Sequence, residues 1–516
     1  MTKNWSQKPM LIRKLHMTLK NNKYQQMKIK KTFCAISLVL LFVSCSTNLD
    51  TELQGEYTTE TFFKTKDHAV LAINATYKIA SFNSTNNLLW VFGDVASDDT
   101  VKGGNDGDQS DINFINNFTA NPDNGAVEAF WKHYYEGISR ANNVIYYVPN
   151  IQMESVLKDR IIAEAKFLRA YYYFHLVNIY GNIPLRLTPA LNVNDLSIPL
   201  STVTVVYAQM EQDLNDASAL LPINYPATET GRATKGAALG LLSKVYLFQE
   251  KWQLALTTAN EIDGLGYGLS PIYRNNFEIA HENKIESIFE IQHVGGQIPA
   301  AGTFLNQYFS PNILNGYFFN APTANFVNEF EKTATEIVDP RLDYTVGRAG
   351  NKWVDGQDFM SEWSPATGYL DKKQAQPVAV DPIGDGGLNY VFMRYAEILL
   401  IKAEALNELN RGNEATTPLN AIRKRARESY LFDNALIGFG TIPSDLLPDV
   451  TYTNQTSMRD AIRHERRVEL GLEFHRFYDV IRYGKTYAEQ VLQNFNYEKN
   501  RCFPIPQSER DTNSRI

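Results

Sequence analysis

Apolar and small side chains recur every three or four residues across positions 163–181 (AEAKFLRAYYYFHLVNIYG), at Ala163, Phe167, Ala170, Tyr171, Phe174 and Val177. That interval gathers them on one face of an α-helix, and Gly181 followed by Ile183-Pro184 supplies the stop. A second periodic stretch, residues 233–262 (ATKGAALGLLSKVYLFQEKWQLALTTANEI), breaks near Glu250-Lys251 into two helices. Small residues at Ala237, Gly240 and Ala255 let the pair pack closely. Tyr246, Trp252 and Ala255 also fall where tetratricopeptide-type hairpins use aromatic and small side chains. A third unit runs over 394–409 (RYAEILLIKAEALNEL), turns at Arg411-Gly412 and continues over 418–428 (PLNAIRKRARE). No fixed period joins the three, so insertions must separate them.

Residues 264–387 have a different texture, rich in Gly, Pro, Asn and aromatic side chains with few long periodic segments (GLGYGLSPIYRNNF, FSPNILNGYFFNAPTANF, WVDGQDFMSEWSPATGYL). One strand is predicted there, at 287–292 (SIFEIQ), where Ile288 and Glu290 alternate with their neighbours. The fold class is therefore mainly α, a tetratricopeptide-like helical scaffold with long loops and a minor β content. Loops of that length in a compact protein usually carry function.

Charge changes the picture at the N-terminus. Residues 30–50 read KKTFCAISLVLLFVSCSTNLD: two lysines, an apolar run over 33–43, then Ser44 and Cys45. The run is shorter than the roughly 20 residues of a spanning helix and is preceded by positive charge, which marks the h-region of an export signal. A small residue just before the cysteine places the processing site at Cys45, as when that cysteine is to carry lipid. The segment 1–44 holds nine of the 50 basic residues and no acidic one, so its removal leaves 41 basic against 57 acidic residues, a net charge near −16. Such acidity argues against nucleic acid and against polybasic attachment to anionic lipid. It also disfavours sulfated or uronate polymers unless a local Lys/Arg cluster compensates. Only Cys34, Cys45 and Cys502 exist, which leaves no disulfide framework for the mature chain.

Candidate chemistry is thin. In residues 461–485 (AIRHERRVELGLEFHRFYDVIRYGK), HERRV is not the HExxH zinc helix, because Val468 stands where the second histidine is needed. Read as a helix, Glu465, Glu469, Glu473 and Arg476 pair at three- and four-residue spacing, with Leu472, Phe477 and Val480 inward. The run KGGNDGDQSD (102–111) places Asp106, Asp108 and Ser110 on alternate positions as a calcium loop would, yet Asp111 replaces the turn glycine and Asn117 the closing glutamate. It reads as a loop. GLGYG (264–268) reads as a turn, without the context of a dinucleotide fingerprint. No carboxylate pair stands out to support a glycoside hydrolase. The sequence predicts no catalytic residue, metal site or cofactor.

Several stretches, in order, resemble the SusD/RagB family of outer-membrane lipoproteins of the Bacteroidota: 48–77 (NLDTELQGEYTTETFFKTKDHAVLAINATY), 130–145 (FWKHYYEGISRANNVI), 163–185, 394–408, 461–485 and 503–513 (FPIPQSERDTN). The resemblance implies a helical region over 45–270 and a C-terminal region over 271–516, loop-rich over 271–387 and helical over 388–516. It further implies a non-enzymatic, lipid-anchored receptor on the outer surface of the outer membrane. Such a receptor hands nutrient oligomers, usually glycans and in the RagB branch peptides, to a SusC-like TonB-dependent transporter. Sugars present flat C–H faces and hydroxyls, so a glycan receptor needs aromatic platforms flanked by hydrogen-bonding side chains. Trp131 and Trp252 sit in helical patterns and read as core, whereas Trp90, Trp353 and Trp363 sit in loop-like surroundings. The family's contact regions correspond here to 87–99 and 304–363. The expected ligand-binding residues are accordingly Trp90, Trp353 and Trp363, with Asp98, Tyr317 and Asn320 as polar or secondary contacts.

Overall fold

The periodic stretches become helices close to where their spacing puts them in the computed structural model, which describes residues 62–83, 85–296 and 301–516. The lipid-attachment site expected at Cys45 lies outside the described residues. Lys66–Ala80 (α1), Gly125–Tyr147 (α2), Ser155–Tyr180 (α3), Val203–Leu220 (α4), Lys235–Leu247 (α5) and Trp252–Asn260 (α6) follow one another, each packed on the next. The stack then continues with Tyr395–Glu408 (α7), which lies against α6 and also packs on Gly412–Phe432 (α8) and Gln455–Leu470 (α9). Helices adjacent in the stack are thus separated in sequence by the whole loop-rich segment, which is why no fixed repeat period is visible. Among the described residues no helix is long and apolar enough to cross a membrane.

Sequence spacing gave α3 one buried face, but from Ala163 onward nearly every position is buried, because α3 is wrapped by α1, α2 and α4. Several of its polar side chains find internal partners: the Tyr172 hydroxyl donates to Thr76 O at 2.7 Å, the Tyr173 hydroxyl to Arg186 O at 2.7 Å, and Arg169 forks onto Asp213 at 2.8 and 2.7 Å. Gly181 ends the helix at φ 73°, a conformation open to glycine. The break between α5 and α6 is made by Glu250 at φ 56°, and Lys251 N donates to Tyr246 O at 3.0 Å. Gly240 serves a strand rather than the partner helix, since a Cβ there would lie 2.5 Å from Met393 Sδ.

Of the eight short strands among the described residues, four tie the loops to the rest of the fold: Thr100–Gly103 (β1), Ser287–Ile291 (β2), Phe319–Pro322 (β3) and Tyr390–Arg394 (β4). The predicted strand is β2. It pairs antiparallel with β4, from Ser287 opposite Arg394 to Ile291 opposite Tyr390, so the two ends of the insertion between α6 and α7 are clasped together. β1 pairs antiparallel with β3, joining the segment after α1 to the middle of the insertion.

The segment after α9 departs from the expected continuous helix. α9 stops at Leu470, and a Cβ on Gly471 would meet the Phe326 ring at 2.3 Å. Leu472 and Phe474 then take φ of 61° and 64° before a new helix, Arg476–Arg482, begins. The carboxylates do not pair along one helix but point into the interior. Glu469 accepts from Arg341 at 2.8 Å, from Arg394 at 2.5 Å and from Arg425. Glu473 accepts from Lys373 and from Arg394 Nε, each at 2.9 Å, and Glu465 from Arg423 at 3.0 Å. Burial alone would raise the Glu469 pKa, but Arg425, Arg394 and Arg341 hold it well below the usual range. A buried charge without a partner costs several kcal/mol, so pairing is the condition on which these groups are interior at all. Residues 63–516 form one compact unit, whose main core runs from Ala69 to Phe503.

Candidate ligand-binding surface

An aromatic row is assembled where the insertion meets the segment after α1. The short helix Leu305–Phe309 begins with Phe304 N donating to Phe82 O at 3.0 Å. One turn later Tyr308 lies over Phe304, ring centroids 6.0 Å apart and 30° between planes. The chain then turns back on itself: Tyr317 N donates to Gln307 O at 2.8 Å and Phe318 N to Ser310 O at 3.0 Å. This turn needs Gly316, because a Cβ there would lie 2.0 Å from Ser310 O. It sets Tyr317 beside Tyr308 at 6.3 Å, with Phe319 5.9 Å from Tyr317. Tyr317 is 43% exposed, Phe304 is half-buried and Tyr308 shows only an edge.

Trp90 lies beneath this row and is not part of its surface. It is 1% exposed, stacks on Phe319 at 5.6 Å and meets Tyr308 and Phe309 at 5.8 Å. The loop-like surroundings that suggested a platform are a helical turn, Val91–Val95, whose residues are all buried. Trp353 is likewise interior at 2% exposed, in a cluster with Phe318, Phe359, Leu370 and Ala375. Trp363 is half-buried, edge-on to Phe359 at 5.4 Å. Neither Trp90 nor Trp353 offers a ring face to a ligand in this structure.

The polar expectations divide the same way. Asp98 is partly exposed as a residue, but its side chain is 7% exposed and gripped by Arg476 at 2.8 and 2.9 Å, with Arg467 at 3.0 Å. Burial would raise its pKa, but the Arg476 and Arg467 guanidiniums hold it below the usual range. Asn320 is fully buried at φ 54°. Its amide donates to Asp371 at 3.0 Å and Asp94 at 3.4 Å and accepts from the Thr100 hydroxyl at 2.7 Å. Burial pushes Asp371 up to about 7 and raises Asp94 well above the usual carboxylate range, the latter also because Asp99 and Asp371 are near. Asn320 is thus wholly interior, and the Asp98 carboxylate is committed to two guanidiniums. Of the six expected contacts, Tyr317 alone is strongly exposed.

The run 102–111 is folded around a lysine. Lys102 Nζ donates to Asn105 O at 2.8 Å and Asp108 O at 2.7 Å, and lies 5.7 Å from the Phe319 ring centroid. The chain's own ammonium thus occupies the centre of the loop, where a calcium loop would hold its ion. Gly104 lets the Phe319 ring lie on the backbone, since a Cβ there would approach it to 2.3 Å. The positions that sequence reasoning missed, Phe304 and Tyr308, do carry a local signal. They are four apart, which on a helix puts them on one face, but a single turn is too short to register as a periodic segment.

Two family models match the chain: one described as the SusD family over residues 286–516, the other as starch-binding associating with outer membrane over residues 54–247. A SusD-like protein of Formosa agariphila is 29% identical over 95% of this chain and 98% of its own length. A SusD-like protein of Bacteroides ovatus is 26% identical over 90% of this chain and 84% of its own. Among solved structures, a laminarin binding SusD-like protein superposes with a TM-score of 0.71 at 28% identity, covering 87% of this chain and 98% of that one. A SusD-like carbohydrate binding protein from Bacteroides fragilis reaches a TM-score of 0.76 at 24% identity, covering 88% of this chain and 100% of that one, a likeness of fold.

Proposed function

Because the chain belongs to the SusD family, we propose that it is a cell-surface glycan-binding lipoprotein, anchored through Cys45, that passes oligosaccharides to a TonB-dependent outer-membrane transporter without cutting them. The observation that carries this reading is the aromatic row of Tyr317, Tyr308 and Phe304, mounted on a rigid stack of buried rings that includes Trp90 and Phe319. An exposed ring backed by other rings cannot rotate away, so the C–H face of a sugar meets a surface ordered in advance. Support also comes from the laminarin-binding relative, which shares the fold over 98% of its length.

The test is calorimetric titration with neutral oligosaccharides, laminarihexaose first, against wild type and Tyr317→Ala. Loss of one stacking face should weaken binding by roughly 1–2 kcal/mol, about 5- to 30-fold. The melting temperature should hardly move, because the ring is already exposed. The oligosaccharide should be recovered at full length. A variant that binds as tightly as wild type would remove the row from the site, and recovery of shortened products would make the protein a hydrolase.

A further inference from the structure

A concavity of about 800 Å³, lined in part by Trp353 and Ala375 of the Phe318–Trp353 cluster, opens between the residues around Asp343–Val354, Lys372–Pro377 and the loop after α8. That volume lies within the range of small-ligand sites. Its wall is unlike the rest of this acidic chain. Arg274, Arg348 and Lys372 converge on it, answered by two carboxylates: Arg348 pairs with Asp343 at 2.6 Å and Arg274 with Glu278 at 2.7 Å. A third carboxylate, Glu336, is paired with Lys332 at 3.3 Å, and Lys352 is paired with Asp358 at 2.6 Å. Lys372 has no carboxylate within 4.0 Å among the described residues; its ammonium donates to two carbonyls, Asp343 O at 2.9 Å and Lys352 O at 2.7 Å. Those two bonds leave the third donor of the ammonium unassigned. Burial lowers its pKa to about 8, and Arg274 and Arg348 act in the same direction against Asp343. In the same wall the Trp353 indole N–H is buried and has no hydrogen-bond partner. An ammonium without a carboxylate partner in a roomy cleft calls for an acceptor with negative charge.

We propose that this cleft is an anion subsite, taking the carboxylate or sulfate ester of an acidic saccharide on Lys372 and Arg348. The subsite deepens the glycan-binding reading and rests on it: the neutral stretch of the chain would lie on the aromatic row, and an acidic residue would set the specificity. Local charge of this kind reverses what the net charge disfavours, because interactions in a partly enclosed cleft are screened less than those across open solvent.

The experiment compares three probes, laminarihexaose, a hexameric oligogalacturonate and inorganic sulfate, by calorimetry on the full mature chain, wild type, Lys372→Gln, Arg348→Gln and Tyr317→Ala. Oligogalacturonate should bind wild type tighter than laminarihexaose. It should lose about 10-fold or more in Lys372→Gln and show the same direction in Arg348→Gln, while laminarihexaose affinity stays put. The advantage should shrink as salt is raised. Arg348→Gln keeps both carbonyl contacts of Lys372, so it reports on charge even where Lys372→Gln loosens the fold, which a melting curve reveals. Equal affinity for the acidic and neutral hexamers in wild type, or no loss in either charge variant, overturns the subsite. Sulfate displacing oligogalacturonate as effectively per charge would overturn the saccharide assignment and leave a free-anion site. If Tyr317→Ala leaves laminarihexaose binding intact while Lys372→Gln weakens oligogalacturonate, the aromatic-row reading fails and the anion subsite stands.

Discussion

Single residues here are fixed by partners more than a hundred positions away, and His464 is the clearest case with a measurable consequence. Its Nδ1 faces Glu329 at 2.8 Å and its Nε2 faces Glu331 at 3.2 Å. Burial alone would lower its pKa, but the hydrogen bonds to Glu329 and Glu331, with Glu465 nearby, raise it to about 9. A histidine whose folded pKa exceeds its unfolded value of about 6.5 binds a proton more tightly when folded, so its contribution is fully present below that value and is lost as pH rises through 9. Denaturant melts of wild type and His464→Asn across pH 5.5 to 9.5 should therefore converge at the alkaline end. A constant gap between the two curves would show that the imidazolium pairs contribute nothing. Long-range partners also explain which site residues were hidden. Trp90 is buried by Tyr308, Phe309 and Phe319, all more than 200 positions downstream, so nothing near it in sequence distinguishes a platform from a core ring.

At the scale of elements, the turn over Ser310–Phe318 decides where the aromatic row points. Replacing Gly316 by Ala forces a methyl to within 2.0 Å of Ser310 O unless the turn opens, and opening it displaces Tyr317. The expected result is a loss of laminarihexaose affinity at least as large as that of Tyr317→Ala, with about 1–3 kcal/mol lost from the unfolding free energy. Wild-type affinity in a folded Gly316→Ala protein would mean that the row does not depend on this turn. Helices such as α3 and the α5–α6 pair were legible because their signal is contained in the three- and four-residue spacing. Strand β4 was not: Tyr390–Arg394 directly precedes a strong helical pattern, and its pairing with β2 spans the whole insertion. The proposed site was legible only as a region. Composition marked the loops, and Tyr317 fell among the expected contacts. The separation of platform from floor depends on packing between β1, β3 and the Leu305–Phe309 turn, which no local pattern encodes.

For the whole molecule, attachment and acidity are linked. The proposed processing at Cys45 would leave a net charge near −16 and no electrostatic hold on anionic lipid, so membrane association should then rest on the acyl groups of Cys45 alone. Expressed in its natural host, Cys45→Ala should leave the membrane pellet for the soluble fraction, and retention in the pellet would contradict lipid anchoring. The clasp of β2 and β4 has a different implication, for how such proteins diversify. An insertion whose two ends meet side by side on an unbroken helical stack is a cassette, and a cassette can be transplanted between relatives without reordering the frame. The terms of exchange are set by charge: Arg341 and Lys373, inside the insertion, neutralise Glu465, Glu469 and Glu473 on the frame. A donor cassette that lacks cations at those two places would leave these buried carboxylates only Arg394, Arg423 and Arg425 as partners, so the frame restricts which loops it can accept before any ligand is involved.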